Sequence, residues 1–250
     1  DSLAAFAGAF ERTARGDADL RGGPAAQQRA SAPVATAQDP ETPLRQALAR
    51  ARHPAVRALL ERAGSNLSGP ALPLVVEGLR RLVDYQDPAY AALYLDRLDA
   101  VQRALPADDP VAAECLRELA RHLALWMSWE DTLRVADLKT RGSRFERVRT
   151  EVRAQPDQPL AIHEYLHPRL QEVAETLPPA WGRWLLGSGA PRRMVQRLTA
   201  SGRVVQTSSL RGFFLLSLVA GLRRWRRRTW RYHLETARIE ARLADITAAQ

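Results

Sequence analysis

The 250-residue chain carries 37 basic and 28 acidic side chains, a formal charge of +9, and one cysteine, Cys115. Its 46 % hydrophobic content supports a real core, in one large or two small domains. A single thiol excludes a disulfide within the chain, and it excludes an iron–sulfur cluster built from its own cysteines, since such clusters typically take four thiolates.

Ser2 to Arg15 reads as a short amphipathic helix with Leu3, Phe6, Ala7 and Phe10 on one face. Nothing from Asp1 to Leu20 joins a basic segment to an apolar run, so no secretory signal is expected. The absence of an initiator Met suggests a fragment or an engineered product. Gly16 to Thr42, with Gly22-Gly23-Pro24, Pro33 and Pro40 among Ala and Gln, is too poor in large apolar residues to offset its ordering entropy and reads as a flexible linker.

From residue 43 to 250 the pattern is that of a helical domain. Pro43–Ala63 gives two short helices broken at His53-Pro54, and Leu72–Asp84 gives the next. Pro88 restarts a helix whose Tyr90, Tyr94, Leu98, Val101 and Leu105 recur at three- and four-residue steps as one buried stripe. Asp109-Pro110 is a cap and first helical position, opening a helix expected to bury Val111, Cys115, Leu119, Leu123 and Trp126. Ser128-Trp129-Glu130-Asp131 resembles a capping box with Asp in the usual place of Glu, starting a helix to about Arg141. Leu160–Ile162 and Arg203–Gln206 are the strand candidates, with three short helices near 168–177, 179–187 and 191–200 between them. Ser208 or Ser209 then caps a helix through the apolar run Phe213–Leu222, and Thr229 to about Ile246 forms the last one. The predicted fold is mainly α, a multi-helix bundle with a minimal two-stranded β element. The Phe213–Leu222 run is about half the ~20 residues needed to span a bilayer, so a soluble, cytoplasmic protein without membrane contact is expected.

Four patterns could carry chemistry. His163-Glu164-Tyr165-Leu166-His167 spells the zinc-protease pattern, which needs both imidazoles on one helical turn with Glu as base. The strand-like run before it and Pro168 after it argue against that helix, and no carboxylate follows Glu175 until Glu235 to serve as a third ligand. Asp84-Tyr85-Gln86-Asp87 could face a partner subunit or a cofactor edge, although helix ending, capping and ring packing account for those residue types. Leu222–Arg231 holds six arginines and two tryptophans; its arginines are read as complementing a helix C-terminus, helped by Glu235, Glu240 and Asp245, so that replacing Arg226 to Arg228 should barely affect folding. Finally, the positive charge invites a nucleic-acid reading, but Lys139 is the only lysine and codon usage accounts for an arginine excess beside so much alanine. The nucleic-acid alternative is a winged-helix-like unit with Pro191–Ala200 as recognition helix, offering Arg192, Arg193 and Arg197; the expected helix after Arg203–Gln206, where a wing strand should stand, disfavours it.

Three blocks carry a family resemblance. Leu82-Val83-Asp84-Tyr85-Gln86-Asp87-Pro88-Ala89-Tyr90-Ala91-Ala92-Leu93-Tyr94 is similar to a Tyr-Gln-Asp-x-x-Tyr segment in the helical C-terminal region of indolepyruvate oxidoreductase beta subunits, relatives of the 2-oxoacid:ferredoxin oxidoreductases. Met127–Lys139 resembles that region's Met-x-x-x-Asp-x-x-x-Val-Ala segment, and Thr207–Phe213 running into Leu222–Trp225 resembles its last helices. The resemblance covers roughly residues 70–245. It implies a complex that oxidatively decarboxylates arylpyruvates in aromatic amino-acid catabolism. Residues 1–15 would be the terminal helix of a missing upstream gamma-type domain, and residues 43–250 a module docking the alpha subunit. Thiamine diphosphate and iron–sulfur clusters are implied in that alpha subunit, because this chain has one cysteine and no Gly-Asp-Gly segment leading to a paired Asn. No catalytic, cofactor or metal residue is assigned here; Asp84, Tyr85, Gln86, Asp87, Tyr90, Trp129 and Glu130 form a possible subunit interface.

Overall fold

Proline and short carboxylates set where the helices begin. The computed structural model describes residues 39–248 apart from 68, 107–108, 156, 168, 188 and 200–202. The expected helix at 1–15 and nearly all of the expected linker at 16–42 lie outside the described residues. Helix α1 (Thr42–Arg50) is followed by α2 (Pro54–Asn66), where His53 Nδ1 accepts the Ala55 amide at 3.2 Å and Pro54, lacking an amide hydrogen, takes the first helical position. A 3-10 turn, Gly69–Ala71, leads into α3 (Leu72–Tyr85). Helices α4 (Pro88–Ala104) and α5 (Pro110–Trp126) both start on an Asp-Pro pair: Asp87 Oδ1 accepts the Tyr90 amide at 2.7 Å, and Asp109 Oδ1 the Val111 amide at 2.9 Å.

These helices build the main core. Leu79 and Leu82 of α3, Tyr90, Tyr94 and Leu98 of α4, and Leu119 and Leu123 of α5 are buried together. Helix α2 lies against α3 and α4. Burying a tyrosine ring gains its apolar area only if the hydroxyl finds a partner. Tyr94 donates to the Ala120 carbonyl and Tyr90 to that of Met127, both at 2.8 Å. At Gly78 the helices come so close that a Cβ would sit 2.7 Å from Tyr94 Oη.

The chain then forms α6 (Thr132–Thr140), α7 (Gly142–Glu151), β1 (His163–Leu166), α8 (Leu170–Glu175), α9 (Pro179–Gly187), α10 (Gly189–Thr199), β2 (Arg203–Gln206), α11 (Leu210–Gly221), a 3-10 segment (Leu222–Arg228) and α12 (Trp230–Ala248). The two strands pair antiparallel, His163 opposite Gln206 and Leu166 opposite Arg203. Helix α11 packs along α6, and α12 returns over α4 and α5, adding Ile239 and Leu243 to the core. The fold is thus mainly α, a multi-helix bundle with a two-stranded β element. Among the described residues no helix is long and apolar enough to cross a membrane.

Local expectations shift in four places. The strand lies at His163–Leu166 rather than Leu160–Ile162, because the partner strand ends at Gln206, opposite His163. Beyond it Ile162 is held by the Thr207 amide and hydroxyl on its carbonyl and by Ser208 Oγ on its amide rather than by a ladder. Helix α7 has no counterpart in the sequence reading, since it buries no residue and shows no apolar stripe. Asp131, not Ser128, is the cap of α6, accepting the Arg134 amide at 2.7 Å, while the Ser128 hydroxyl turns back to the Ala124 carbonyl. Of the residues expected to be buried by α5, Leu119 and Leu123 are, whereas Val111 is exposed in the first turn and Cys115 and Trp126 are half-buried.

Candidate functional site

The 3-10 segment is what brings the three resemblance blocks together. At three residues per turn, side chains at i and i+3 lie above one another. Arg228 therefore stacks on the Trp225 ring, 4.8 Å from its centroid, while Arg226 points inward. Only 2 % of the Arg226 side chain remains exposed. Its Nε and Nη2 donate to the two oxygens of Asp131 at 2.7 and 3.1 Å, a fork that only a guanidinium can make. Its Nη1 donates to the Tyr85 carbonyl at 2.9 Å and to Gln86 Oε1 at 2.8 Å. The guanidinium also lies 4.1 Å from the Tyr85 ring centroid, a desolvated cation–π contact. Gln86 answers by donating from Nε2 to the Arg223 carbonyl at 3.1 Å. Next door, Arg227 donates to Asp87 at 2.9 Å and lies over the Tyr90 ring.

Burial by itself would lower the Arg226 pKa, but the Asp131 carboxylate outweighs it and holds the guanidinium above its ordinary value. Desolvation pushes the Tyr85 and Tyr90 phenols up, so both stay neutral. On the rim, Asp84 joins α3 to α6 through Arg134 at 2.8 Å and Arg141 at 3.0 Å. Burial raises the Asp84 pKa, and hydrogen bonds from those two arginines more than reverse this, leaving its carboxyl below the usual range.

The seven residues expected at a subunit interface thus share one region but not one exposure. Tyr85, Gln86 and Tyr90 are buried, Trp129 is half-buried with its ring 5.9 Å from that of Tyr85, and Asp84 and Asp87 engage arginines at the rim. Glu130 is exposed. Tyr85 Oη and Trp129 Nε1 are buried without a hydrogen-bond partner among the described residues. Sequence reasoning missed Arg226 itself and misassigned its surroundings. Of the carboxylates expected to neutralise the arginine run, Glu235 does pair with Arg231, but Arg226 and Arg227 are met by Asp131 and Asp87, far away in sequence, and Glu240 pairs with Arg97. No local signal reveals a partner 95 residues away.

The zinc-like pattern is extended, not helical. His163 opens β1 and His167 follows its last residue, which separates their Cα atoms by about 13 Å at strand rise. That span is too long for two ligands to share a metal at about 2.0–2.1 Å. Glu164 is engaged by Lys139 at 2.6 Å and by Arg144. No group of three or more His, Cys, Asp or Glu that could hold a metal occurs among the described residues, and the one thiol of Cys115, half-buried, does not suit an iron–sulfur cluster. After β2, Ser209 caps α11 directly, and no third strand occurs among the described residues.

Two concavities flank the bundle. One of about 670 Å³ is lined by Asn66, Asp99, Gln102 and Leu116 among others, and Asp99 there is already bonded to Arg62 and Asn66. The other, about 430 Å³, lies at the start of α11 between Phe145, Leu160, Ile162, Leu210 and Phe213. The Arg226 guanidinium, Asp131, Gln86 and Asp87 are engaged in holding α3, α4, α6 and the 3-10 segment together. A family model described as a family of unknown function, DUF6537, matches residues 71–250, from the turn before α3 to the end of the chain. No curated protein and no solved structure matches the chain.

Proposed function

The chain belongs to the DUF6537 family, and we propose that it is a non-catalytic helical module of an indolepyruvate (arylpyruvate) oxidoreductase complex, docking on the thiamine-diphosphate subunit. The reading comes from the resemblance of residues 82–94, 127–139 and 207–225. One observation supports it above the others: these blocks, separated by tens of residues, meet around Arg226 through Asp131, Gln86, Asp87 and the carbonyl of Arg223. In the complex, thiamine diphosphate and the iron–sulfur clusters belong to the alpha subunit, where 2-oxoacid decarboxylation and electron transfer to ferredoxin or a similar acceptor take place. This chain contributes surface and rigidity.

The test is co-expression of the intact subunit with its thiamine-bearing partner, followed by size exclusion and an indolepyruvate-dependent acceptor-reduction assay. Stoichiometric co-elution is expected, with no turnover by this chain alone. Failure to associate, or turnover by the isolated chain, overturns the reading. A nucleic-acid module is the second reading, favoured by the exposed Arg192, Arg193 and Arg197 on α10. Binding that survives about 0.2 M salt with a base preference set by those residues would support it, since non-specific phosphate contacts weaken steeply with salt.

A further inference from the structure

We propose that the outer face of α11, together with the concavity at its start, is the surface on which this chain receives its protein partner, and that the partner presents an apolar anchor ringed by carboxylates. The assignment rests on the docking role proposed above and names the surface that performs it.

Helix α11, Leu-Arg-Gly-Phe-Phe-Leu-Leu-Ser-Leu-Val-Ala-Gly, is apolar nearly all round. A helix of that composition is ordinarily enclosed on all sides. Among the described residues this one is covered on one side only. Gly212 and Leu216 face the bundle, with Gly212 so close to the end of β2 that a Cβ would collide with the Gln206 carbonyl oxygen. On the other side Leu210, Phe214 and Leu218, at successive steps of four, are 90, 70 and 60 % exposed, and Leu215, Leu222 and Trp225 extend the strip. Contiguous exposed apolar surface of this kind marks an interaction site, where scattered single residues do not.

Charge chooses among the occupants. Between Glu175 and Glu235 the sequence has no Asp or Glu and twelve arginines. Arg226, Arg227 and Arg231 find carboxylates elsewhere in the fold. Arg211, Arg223, Arg224 and Arg228, which bracket the apolar strip, are exposed and engage no carboxylate among the described residues. A second copy of this chain would bring the same cations face to face, so self-association is disfavoured and an acidic rim is required. Shape separates an acidic protein from an anionic bilayer. The strip runs at Leu210 and Phe213 into the concavity of about 430 Å³, whose other walls are Phe145, Leu160 and Ile162. A recess of that size takes one or two large side chains, the anchor arrangement of protein interfaces, and a lipid surface has nothing of that form to insert.

The experiment uses the full chain against the purified thiamine-diphosphate subunit, with affinity measured by interferometry at two salt concentrations. The paired variant Phe214→Glu/Leu218→Glu should weaken binding at least about tenfold, the loss of a single well-buried anchor. Arg223→Glu/Arg224→Glu should slow association and flatten its salt dependence. Both alter exposed positions, and circular dichroism and melting should match the parent chain. If the parent chain binds and neither variant weakens it, the surface is wrong while the docking role stands. If the parent chain does not bind the subunit, the docking role fails and takes this surface with it. Binding of the parent chain to phosphatidylserine vesicles, abolished in the Phe214/Leu218 variant, would replace the protein partner with a membrane. A dimer in sedimentation that the same variant dissolves would replace it with a second copy.

Discussion

Arg226 shows how one side chain can close a fold. A buried guanidinium loses its hydration and recovers it here as four hydrogen bonds and a ring face. Arg226→Ala leaves Asp131 nearly buried without its counter-charge, and breaking a buried pair on one side costs about 3–5 kcal/mol. Arg226→Lys keeps the charge but not the fork, so it should fall between the parent and the alanine variant. Urea unfolding measures both; an alanine variant within about 1 kcal/mol of the parent would show the junction to be ornamental. The expectation that Arg226 to Arg228 could all be replaced harmlessly holds only where the side chain is outside, at Arg228, whose stacking on Trp225 is exposed and worth little. In sequence the three arginines are indistinguishable. The three-residue pitch of the segment turns Arg226 inward, where Asp131 receives it.

At the scale of elements, what was legible is what is local. Asp87-Pro88 and Asp109-Pro110 announce α4 and α5 because cap and first turn lie within four residues. The stripe of Tyr90, Tyr94, Leu98 and Val101 announces the buried face of α4 because periodicity needs no partner to be seen. Helix α7 shows neither signal, and β1 was misplaced by three residues because its register is set by β2, some forty residues on. The close crossing of α3 and α4 belongs to the same hidden class. Gly78→Ala should destabilise by about 1–3 kcal/mol, because the added methyl meets the Tyr94 hydroxyl at 2.7 Å. In a Tyr94→Phe background that hydroxyl is gone, but the ring Cζ at 2.9 Å and Ala124 Cβ at 3.1 Å still crowd the methyl, so the same glycine change should lose only part of its cost. A double-mutant cycle from thermal or urea unfolding reads the coupling; strict additivity would mean the two helices separate freely at that point.

For the whole molecule, apolar and ionic ties are distributed unequally along the chain. Helices α2 to α5 are joined chiefly by leucine, valine and tyrosine packing and by two buried tyrosine hydroxyl bonds, with Arg62 on Asp96 and Asp99 as an ionic tie between α2 and α4. The later elements lean on ion pairs: Asp84 with Arg134 and Arg141 toward α6, Glu164 with Lys139 and Arg144 toward β1, and Glu175 with Arg231 between α8 and α12. For Asp84 and Glu175, burial raises the pKa but is outweighed by their hydrogen-bond donors, so both carboxyls end below the usual range. A carboxylate so depressed takes its proton later in the folded chain than in the unfolded one. Its stabilisation is complete above the ordinary carboxylate pKa, about 4, and is lost as pH falls through the folded value. At the other end, desolvation raises the Tyr85, Tyr90 and Tyr94 phenols, so their contribution is complete below about pH 10 and declines above it, as the unfolded phenols ionise and the folded ones do not. The two failures should therefore start in different places. In hydrogen exchange stepped down from pH 5, amides of α6 and α8 should lose protection before those of α3 to α5; stepped up past pH 10, the tyrosine-bearing α3 and α4 should weaken first. Asp84→Asn should shift the acid transition of α6 and leave the alkaline one in place. A single cooperative loss of all helices at both extremes would mean that the Arg226 junction couples core and periphery more tightly than their separate contacts suggest.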